Sequence, residues 1–145
     1  MNSLSIRFIA CTALFFAGGC GPTGPQKYPV TGTVKVDGNL AERVLVQFTY
    51  EGTGDVKGND KYPSALTDAS GLFTLGKGSE IEGAVAGEYV VTFSWMSGPE
   101  LEAFDKFKGK LSDPANSKHR VRVPEDVTKP LVFDLENPSP GSARK

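Results

Sequence analysis

Beyond its first twenty residues this chain has no cysteine, so no disulfide can stabilise the rest of the fold. Both cysteines, Cys11 and Cys20, lie within that opening stretch, and the 145 residues include a single histidine. A structural zinc site needs several cysteine or histidine ligands, which the body of the chain does not supply. We therefore expect a domain that is stabilised by packing alone.

A strong charge of either sign is also missing. The formal net charge is −1, from 16 basic and 17 acidic side chains, and no dense basic cluster is present. The balance predicts no nucleic-acid partner. With 17 glycines and 10 prolines, the composition favours short strands joined by turns over long helices. The length allows one domain.

Motifs for catalysis, metals and cofactors are absent as well. His119 would have to serve any Ser–His–Asp triad, and no serine stands in a nucleophile elbow. We therefore predict a surface histidine and no enzyme activity. Asp55, Asn59 and Asp60 place oxygen atoms in one loop but lack the spacing of a calcium loop. Without a phosphate loop or a GxGxxG motif, we expect neither a metal site nor a cofactor.

The N-terminus carries the features of a targeting segment. Residues 8–17 form an apolar run that is too short to span a bilayer but fits the core of a signal peptide. Small residues follow and lead directly to Cys20. This resembles a bacterial lipoprotein signal, in which the cysteine is acylated and begins the mature chain. Ala17 stands where such signals usually have leucine, and the alternative is ordinary cleavage that leaves a soluble exported protein.

The lipoprotein interpretation predicts where the protein is and how it is organised. It is expected to be exported and membrane-anchored through its N-terminal lipid, on the periplasmic or surface face of the bacterial cell envelope. The predicted segments are a signal peptide at 1–19, a lipidated cysteine with a flexible tether at 20–27, a β-sandwich domain at 28–136 and a disordered tail at 137–145.

A turn in the middle of the chain organises the predicted domain. Two short apolar runs within residues 66–75 flank the sequence Asp-Ala-Ser-Gly. Asp68 can accept hydrogen bonds from the backbone two residues on, and Gly71 can adopt a positive φ. Phe73 then faces inward on the returning strand. The pattern predicts a hairpin in an antiparallel sheet.

Strict alternation of apolar and polar residues predicts the other strands. The longest alternation places Tyr89, Val91, Phe93 and Trp95 on one face, which favours a core position for both Phe93 and Trp95. Seven strands are predicted in all, at 30–36, 44–50, the two sides of the central turn, 88–95, 120–123 and 131–135. Short strands with one apolar face each predict an all-β fold, a seven-stranded antiparallel β-sandwich.

The long loop at 97–118 departs from this alternation. Apolar residues recur at helical spacing over residues 99–107, with a proline at a first helical position and Gly109 beyond the end, which predicts a short helix. The stripe consists of Leu101, Phe104 and Phe107. Either this helix caps one end of the sandwich, or it presents an exposed aromatic contact site.

The contact-site interpretation names candidate binding residues. Phe104 and Phe107 are interleaved with Lys106 and Lys108. If every connection reverses the chain direction, this loop and the turns at 37–43 and 68–71 lie at the end away from the membrane. The loops at 51–63, 77–86 and 124–129 then lie at the lipid end. Loops on a rigid scaffold are where binding residues usually sit.

Several of these motifs together resemble a known family. They are Thr-Gly-Thr-Val at 31–34, Asp-Gly at 37–38, residues 44–48, Thr-Asp at 67–68 with Gly-x-Phe at 71–73, and Gly-Glu-Tyr-Val-Val at 87–91. They are similar to the carboxypeptidase regulatory-like family, whose fold is a transthyretin-type (prealbumin-like) β-sandwich. The arrangement as a whole is similar to small bacterial lipoproteins of unassigned function, which share a late Asp-Pro-Ala-Asn-Ser segment, here 113–117.

The resemblance implies a non-catalytic module that acts in binding or envelope structure. An envelope protein or a glycan is the expected class of partner. The alternative is a hydrolase or a small-molecule carrier on a transthyretin-like fold, using a site that no motif reveals.

Overall fold

Short β-strands and the turns between them make up nearly all of this computed structural model, which describes residues 24–76, 83–99 and 103–138. The predicted signal peptide, Cys20 and residues 100–102 of the predicted helix lie outside these ranges. The strands are β1 Lys27–Tyr28, β2 Thr31–Val36, β3 Asn39–Leu40, β4 Val44–Tyr50, β5 Ser64–Leu66, β6 Leu72–Thr74, β7 Ala84–Val85, β8 Gly87–Ser97, β9 Phe104–Asp105, β10 His119–Val123 and β11 Leu131–Leu135. Short 3-10 helices occur at Gly58–Lys61, Pro114–Asn116 and Glu125–Val127. The described chain is all-β.

The first sheet is built around β8, the longest strand. Its order is β10-β8-β4-β5, and every pair in it is antiparallel. The ladder with β4 runs from Val44 opposite Trp95 to Tyr50 opposite Tyr89. β9 pairs with the far end of β8. The alternation of β8 therefore directs one side chain in two toward the interior along its length.

The second sheet is built around β2 and contains one parallel pair. β6 lies antiparallel to the start of β2, β3 lies antiparallel to its end, and β11 lies parallel along the other side. The prediction of a wholly antiparallel sandwich is therefore wrong at this pair. The connection from β10 to β11 crosses from the first sheet to the second, so β11 enters alongside β2 in the same direction.

The central turn joins the two sheets. β5 pairs with β4 in the first sheet, whereas β6 pairs with β2 in the second. The predicted hairpin within one sheet is thus wrong, and the turn is a corner. Asp68 Oδ1 accepts hydrogen bonds from the backbone N–H of Ser70 at 2.8 Å and of Leu72 at 3.1 Å. Gly71 has a φ of 68°.

The core lies between the two sheets, which pack face to face as a β-sandwich. The ring centroids of Phe48 and Phe73 are 6.4 Å apart, and those of Phe93 and Phe133 are 5.1 Å apart. Each of these contacts joins one sheet to the other. A buried aliphatic or aromatic side chain stabilises a fold by roughly 1.5–3 kcal/mol. Residues of both sheets form this core: Val34, Val36, Val44, Val46, Phe48, Phe73, Tyr89, Val91, Phe93, Val121, Val123, Phe133 and Leu135.

Ordered contacts extend slightly beyond the predicted domain limits. Lys27 lies in β1, which pairs with β7, and its Nζ forms an ion pair with Asp60 at 3.0 Å. At the other limit the backbone N–H of Asn137 donates to Asp37 Oδ1 at 3.0 Å. No helix in the described ranges is long and apolar enough to cross a membrane.

Candidate functional site

A cleft of about 430 Å³ opens where the edges of the two sheets part, between the start of β10 and the end of β11. Residues 110–119, which we call the first wall, line one side. Residues 134–138, the second wall, line the other, and Phe93 of β8 lies between them. The volume falls within the range of about 300–1,000 Å³ that is typical of small-molecule sites.

His119 lies half-buried in this cleft. In β10 it is two residues before Val121, so the alternation of the strand places both side chains on the inward face. The imidazole meets the ring of Phe93 edge-on, with centroids 5.2 Å apart, and that of Phe133 at 5.5 Å. The predicted surface histidine is therefore half-buried, with its ring against two phenylalanines. The same alternation that identifies Val121 and Val123 as inward already signals this position.

The surroundings of His119 disfavour its charged form. Burial lowers the pKa of the imidazole below its ordinary value of 6.5, and the nearby positive charge of Lys118 lowers it further. The ring is thus neutral at neutral pH, with one nitrogen that donates and one that accepts.

The first wall is tied closely to β8. Asp113 begins the 3-10 helix at Pro114–Asn116, because its two carboxylate oxygens accept from Ala115 N at 2.9 Å and from Asn116 Nδ2 at 2.6 Å. The Ser117 hydroxyl donates to the carbonyl of Val91. These contacts give the Asp-Pro-Ala-Asn-Ser segment a defined shape. The sequence marked it only as part of a resemblance, and its place beside His119 depends on the fold.

The geometry of Ser117 does not align it with the imidazole as a nucleophile. Its hydroxyl proton is directed to Val91, and its oxygen accepts from the backbone N–H of His119 at 3.2 Å. Within the described ranges, no group of three or more His, Cys, Asp or Glu side chains could hold a metal ion. The arrangement supports binding and orientation of a ligand by polar groups around an apolar floor.

Charged groups of opposite sign line the two walls. The first wall contributes Lys110, Lys118 and one carboxylate, Asp113, and the second contributes Asp134 and Glu136. None of the ion pairs among the described residues joins these groups. Lys110 Nζ donates to the carbonyl of Pro138 at 2.9 Å, which links the two walls. The cleft is therefore dipolar.

The predicted aromatic pair of the long loop is divided by the structure. Phe107 is 0% exposed and packs against Trp95 at a centroid distance of 5.6 Å, whereas Phe104 is 60% exposed. Trp95 is half-buried rather than fully in the core. Lys106 Nζ lies 4.1 Å from the centre of its ring and covers the exposed side. Lys108 is exposed and has a φ of 53°. The prediction that both phenylalanines share one exposed contact surface is therefore wrong.

The prediction of a helix over 99–107 is also wrong for the residues of this segment that the structure describes. Residues 104–105 form β9, and the Asp105 carboxylate accepts three backbone N–H groups. Those donors belong to Trp95 at 2.7 Å, Phe107 at 2.9 Å and Gly109 at 2.9 Å. An aspartate that binds nearby backbone N–H groups competes with the hydrogen bonds of a helix. The Asp105 contacts form here in place of a helix because the same carboxylate also attaches the loop to β8.

No family model matches this chain, and no curated protein matches it. Two solved structures show a weak likeness. The dioxygenase domain of a dioxygenase carbohydrate-binding fusion from Streptomyces sp. SirexAA-E is 18% identical with a TM-score of 0.36, over 79% of this chain and 81% of that one. A 9R-lipoxygenase from Cyanothece PCC8801 is 14% identical with a TM-score of 0.33, over 80% of this chain and 17% of that one. Likenesses of this strength establish neither a shared fold nor a shared activity.

Proposed function

We propose that this chain is a non-catalytic, lipid-anchored binding protein of the bacterial cell envelope, whose sandwich presents the His119 cleft away from the membrane. The observation that carries the proposal is the placement of the cleft relative to the chain entry. The chain enters through β1, beside the start of β2, whereas the cleft lies where β11 ends alongside the end of β2. An anchor at Cys20 would thus leave the cleft open to the space beyond the membrane.

The fold supports the family resemblance as part of this proposal. Five of the described strands lie where alternation predicts them and contribute to the core between the two sheets: β2, β4, β8, β10 and β11. We infer that they form a transthyretin-like sandwich of the carboxypeptidase regulatory-like type. Binding by an accessory module of that type needs a preformed site, and the cleft supplies one.

A small-molecule carrier is favoured over a hydrolase as the second candidate. The cleft has the volume of a ligand site, but the proton of Ser117 is directed to Val91 rather than to the imidazole. Hydrolysis by a Ser–His pair requires that missing hydrogen bond. A carrier would use the same polar groups to hold its ligand without reaction.

Anchoring is tested by metabolic labelling with a fatty acid. The wild type should be labelled and Cys20→Ser should not. Cys11→Ser is the matched control, because Cys11 lies within the predicted signal-peptide core and should leave labelling intact. Labelling that survives in Cys20→Ser, or membrane retention of that variant in detergent partitioning, would overturn the anchoring proposal.

Binding is tested by thermal unfolding in the presence of amino acids, short peptides and monosaccharides. A ligand that binds only the folded state raises Tm. Asn116→Trp should abolish this rise because the indole would fill the cleft, and Thr128→Trp on the loop at the other end should preserve it. The binding proposal fails if no compound raises Tm, or if both variants respond equally.

A further inference from the structure

We propose that the cleft binds a zwitterionic amino acid or short peptide with an apolar side chain. Its carboxylate would face Lys110 and Lys118, and its amino group would face Asp134 and Glu136. This inference rests on the proposed binding function and names the class of ligand for the same site.

The charges of the two walls provide the first argument. Lys118 precedes His119 in the chain and lines the first wall, which places a positive charge beside the cleft. On the opposite side Asp134 Oδ1 accepts only a long hydrogen bond, at 3.3 Å, from the backbone N–H of Gly38. Among the described ion pairs none neutralises Lys118 or Glu136. Their charges are thus available to a ligand, and charge-assisted hydrogen bonds are roughly twice as strong as neutral ones.

The remaining acidic group of the first wall does not cancel this pattern. Asp113 lines the cleft, but both of its carboxylate oxygens accept hydrogen bonds from the 3-10 helix that follows it. These neutral donors leave its charge in place, so two lysines and one aspartate still give the first wall a net positive charge, opposite the two carboxylates of the second wall. Lys110 uses one of its three N–H groups on Pro138 and retains two for a ligand carboxylate.

Opposed charges select the sign pattern of the ligand. A dianion would be repelled by Asp134 and Glu136, and a dication would be repelled by the two lysines. A neutral sugar would meet the charged groups with hydroxyls, which form hydrogen bonds with them but neutralise neither charge. A molecule with one group of each sign satisfies both walls at once.

The floor of the cleft provides the second argument. The side chains of Phe93, Leu111 and Leu135 lie there, together with the neutral ring of His119. The edge-on contacts of that ring with Phe93 and Phe133 hold it in one orientation. An apolar side chain on the ligand would pack against this surface and gain roughly 25 cal/mol for each Å² removed from water.

Calorimetric titration of the full acylated chain in detergent micelles tests the inference. The probes are leucyl-leucine, its N-acetyl derivative, its C-terminal amide and methyl glucoside. Leucyl-leucine should bind, and removal of either terminal charge should raise Kd by about tenfold or more, which corresponds to the loss of one charge-assisted contact. Methyl glucoside should not compete.

Two variants assign the orientation of the ligand. In Glu136→Gln, N-acetylation of the probe should raise Kd by a smaller factor than in the wild type, because Asp134 alone remains to bind the amino group, while amidation should keep its full effect. In Lys118→Gln the reverse should hold. Glu125→Gln and Lys129→Gln are the matched controls, since both residues are exposed on the loop at the opposite end and should leave every Kd unchanged.

Each other result overturns a defined part of the proposal. Equal binding of the zwitterion and its capped forms, or exchanged sensitivities in the two variants, refutes the charge assignment. Binding of methyl glucoside in place of the dipeptide refutes the ligand class but leaves a binding protein. If no probe binds here and no compound raises Tm in the thermal test, both proposals fail.

Discussion

The imidazole of His119 and the ring of Phe93 meet edge-to-face, with centroids 5.2 Å apart and planes at 88°. Such a geometry places the positive edge of one ring against the negative face of the other and stabilises a pair by about 0.5–1.5 kcal/mol beyond burial. Phe133 makes a similar contact from the second sheet. His119 is thus a packing residue of the interface between the sheets as well as a lining residue of the cleft.

His119→Phe should reduce the loss of stability in mild acid. Because the folded state holds the pKa of this imidazole below 6.5, the unfolded chain binds a proton first as pH falls. Stability is therefore fully present above 6.5 and is lost as pH falls through the lower folded-state pKa. Urea unfolding at about pH 7.5 and about pH 5.5 measures the difference for each protein. Identical differences in wild type and variant would contradict a half-buried, neutral histidine.

Phe73→Ala should lower the free energy of unfolding by about 3–5 kcal/mol, because it leaves a cavity between the sheets. The side chain is 2% exposed and touches both Phe48 and Phe133. Leu72→Ala is the matched control in the same strand: Leu72 is 50% exposed and should change stability by no more than about 0.5 kcal/mol. Denaturant melts compare the two. Similar losses of unfolding free energy in the two variants would mean that Phe73 does not face the core while Leu72 faces solvent.

Gly71→Ala should destabilise the fold more than Gly38→Ala. Both glycines have positive φ, 68° and 78°, so both substitutions incur backbone strain of about 1–3 kcal/mol. A Cβ on Gly71 would also approach the carbonyl oxygen of Val34 to 2.8 Å, whereas one on Gly38 would meet nothing within 4 Å. The difference in Tm between the variants isolates the steric contribution. A smaller loss of Tm for Gly71→Ala than for Gly38→Ala would mean that Gly71 does not lie in the close contact with Val34 at the corner.

Phe107→Ala and Phe104→Ala should have unequal effects. Phe107 is completely buried against Trp95, so its truncation should cost about 3–5 kcal/mol. Phe104 is exposed in β9, and its truncation should stay within about 0.5 kcal/mol. Thermal melts of the single variants provide the measurement. Equal stability of the two variants would contradict the burial of Phe107 and would support the two-residue contact surface that the helical spacing predicts.

Local features of this chain are determined by the sequence itself. Side chains in an extended backbone alternate between faces, so the apolar residues of β2, β4, β8 and β10 identify strands without knowledge of their partners. The corner at Asp68 is equally local, because its carboxylate binds N–H groups two and four residues ahead and Gly71 supplies the positive φ. The all-β class follows from these elements.

The helical spacing of Leu101, Phe104 and Phe107 shows where local pattern is insufficient. An apolar residue every three positions is compatible with a helix, but the same residues can also serve a turn. The Asp105 carboxylate decides between them, because it binds backbone N–H groups on both sides of the loop, including that of Trp95 ten residues earlier. No periodicity within the loop records that partner.

Only the tertiary structure decides which strands become neighbours and, through them, where the cleft lies. The parallel pairing of β11 with β2 joins segments about a hundred residues apart, and it brings 134–138 opposite 110–119 and Phe93. The alternation of β10 turns His119 inward, but Phe133 must arrive from the other sheet before that position becomes half-buried. The physical reason is that alternation specifies the face a side chain occupies, whereas burial, charge and pKa depend on what packs against that face, and those partners come from distant parts of the chain.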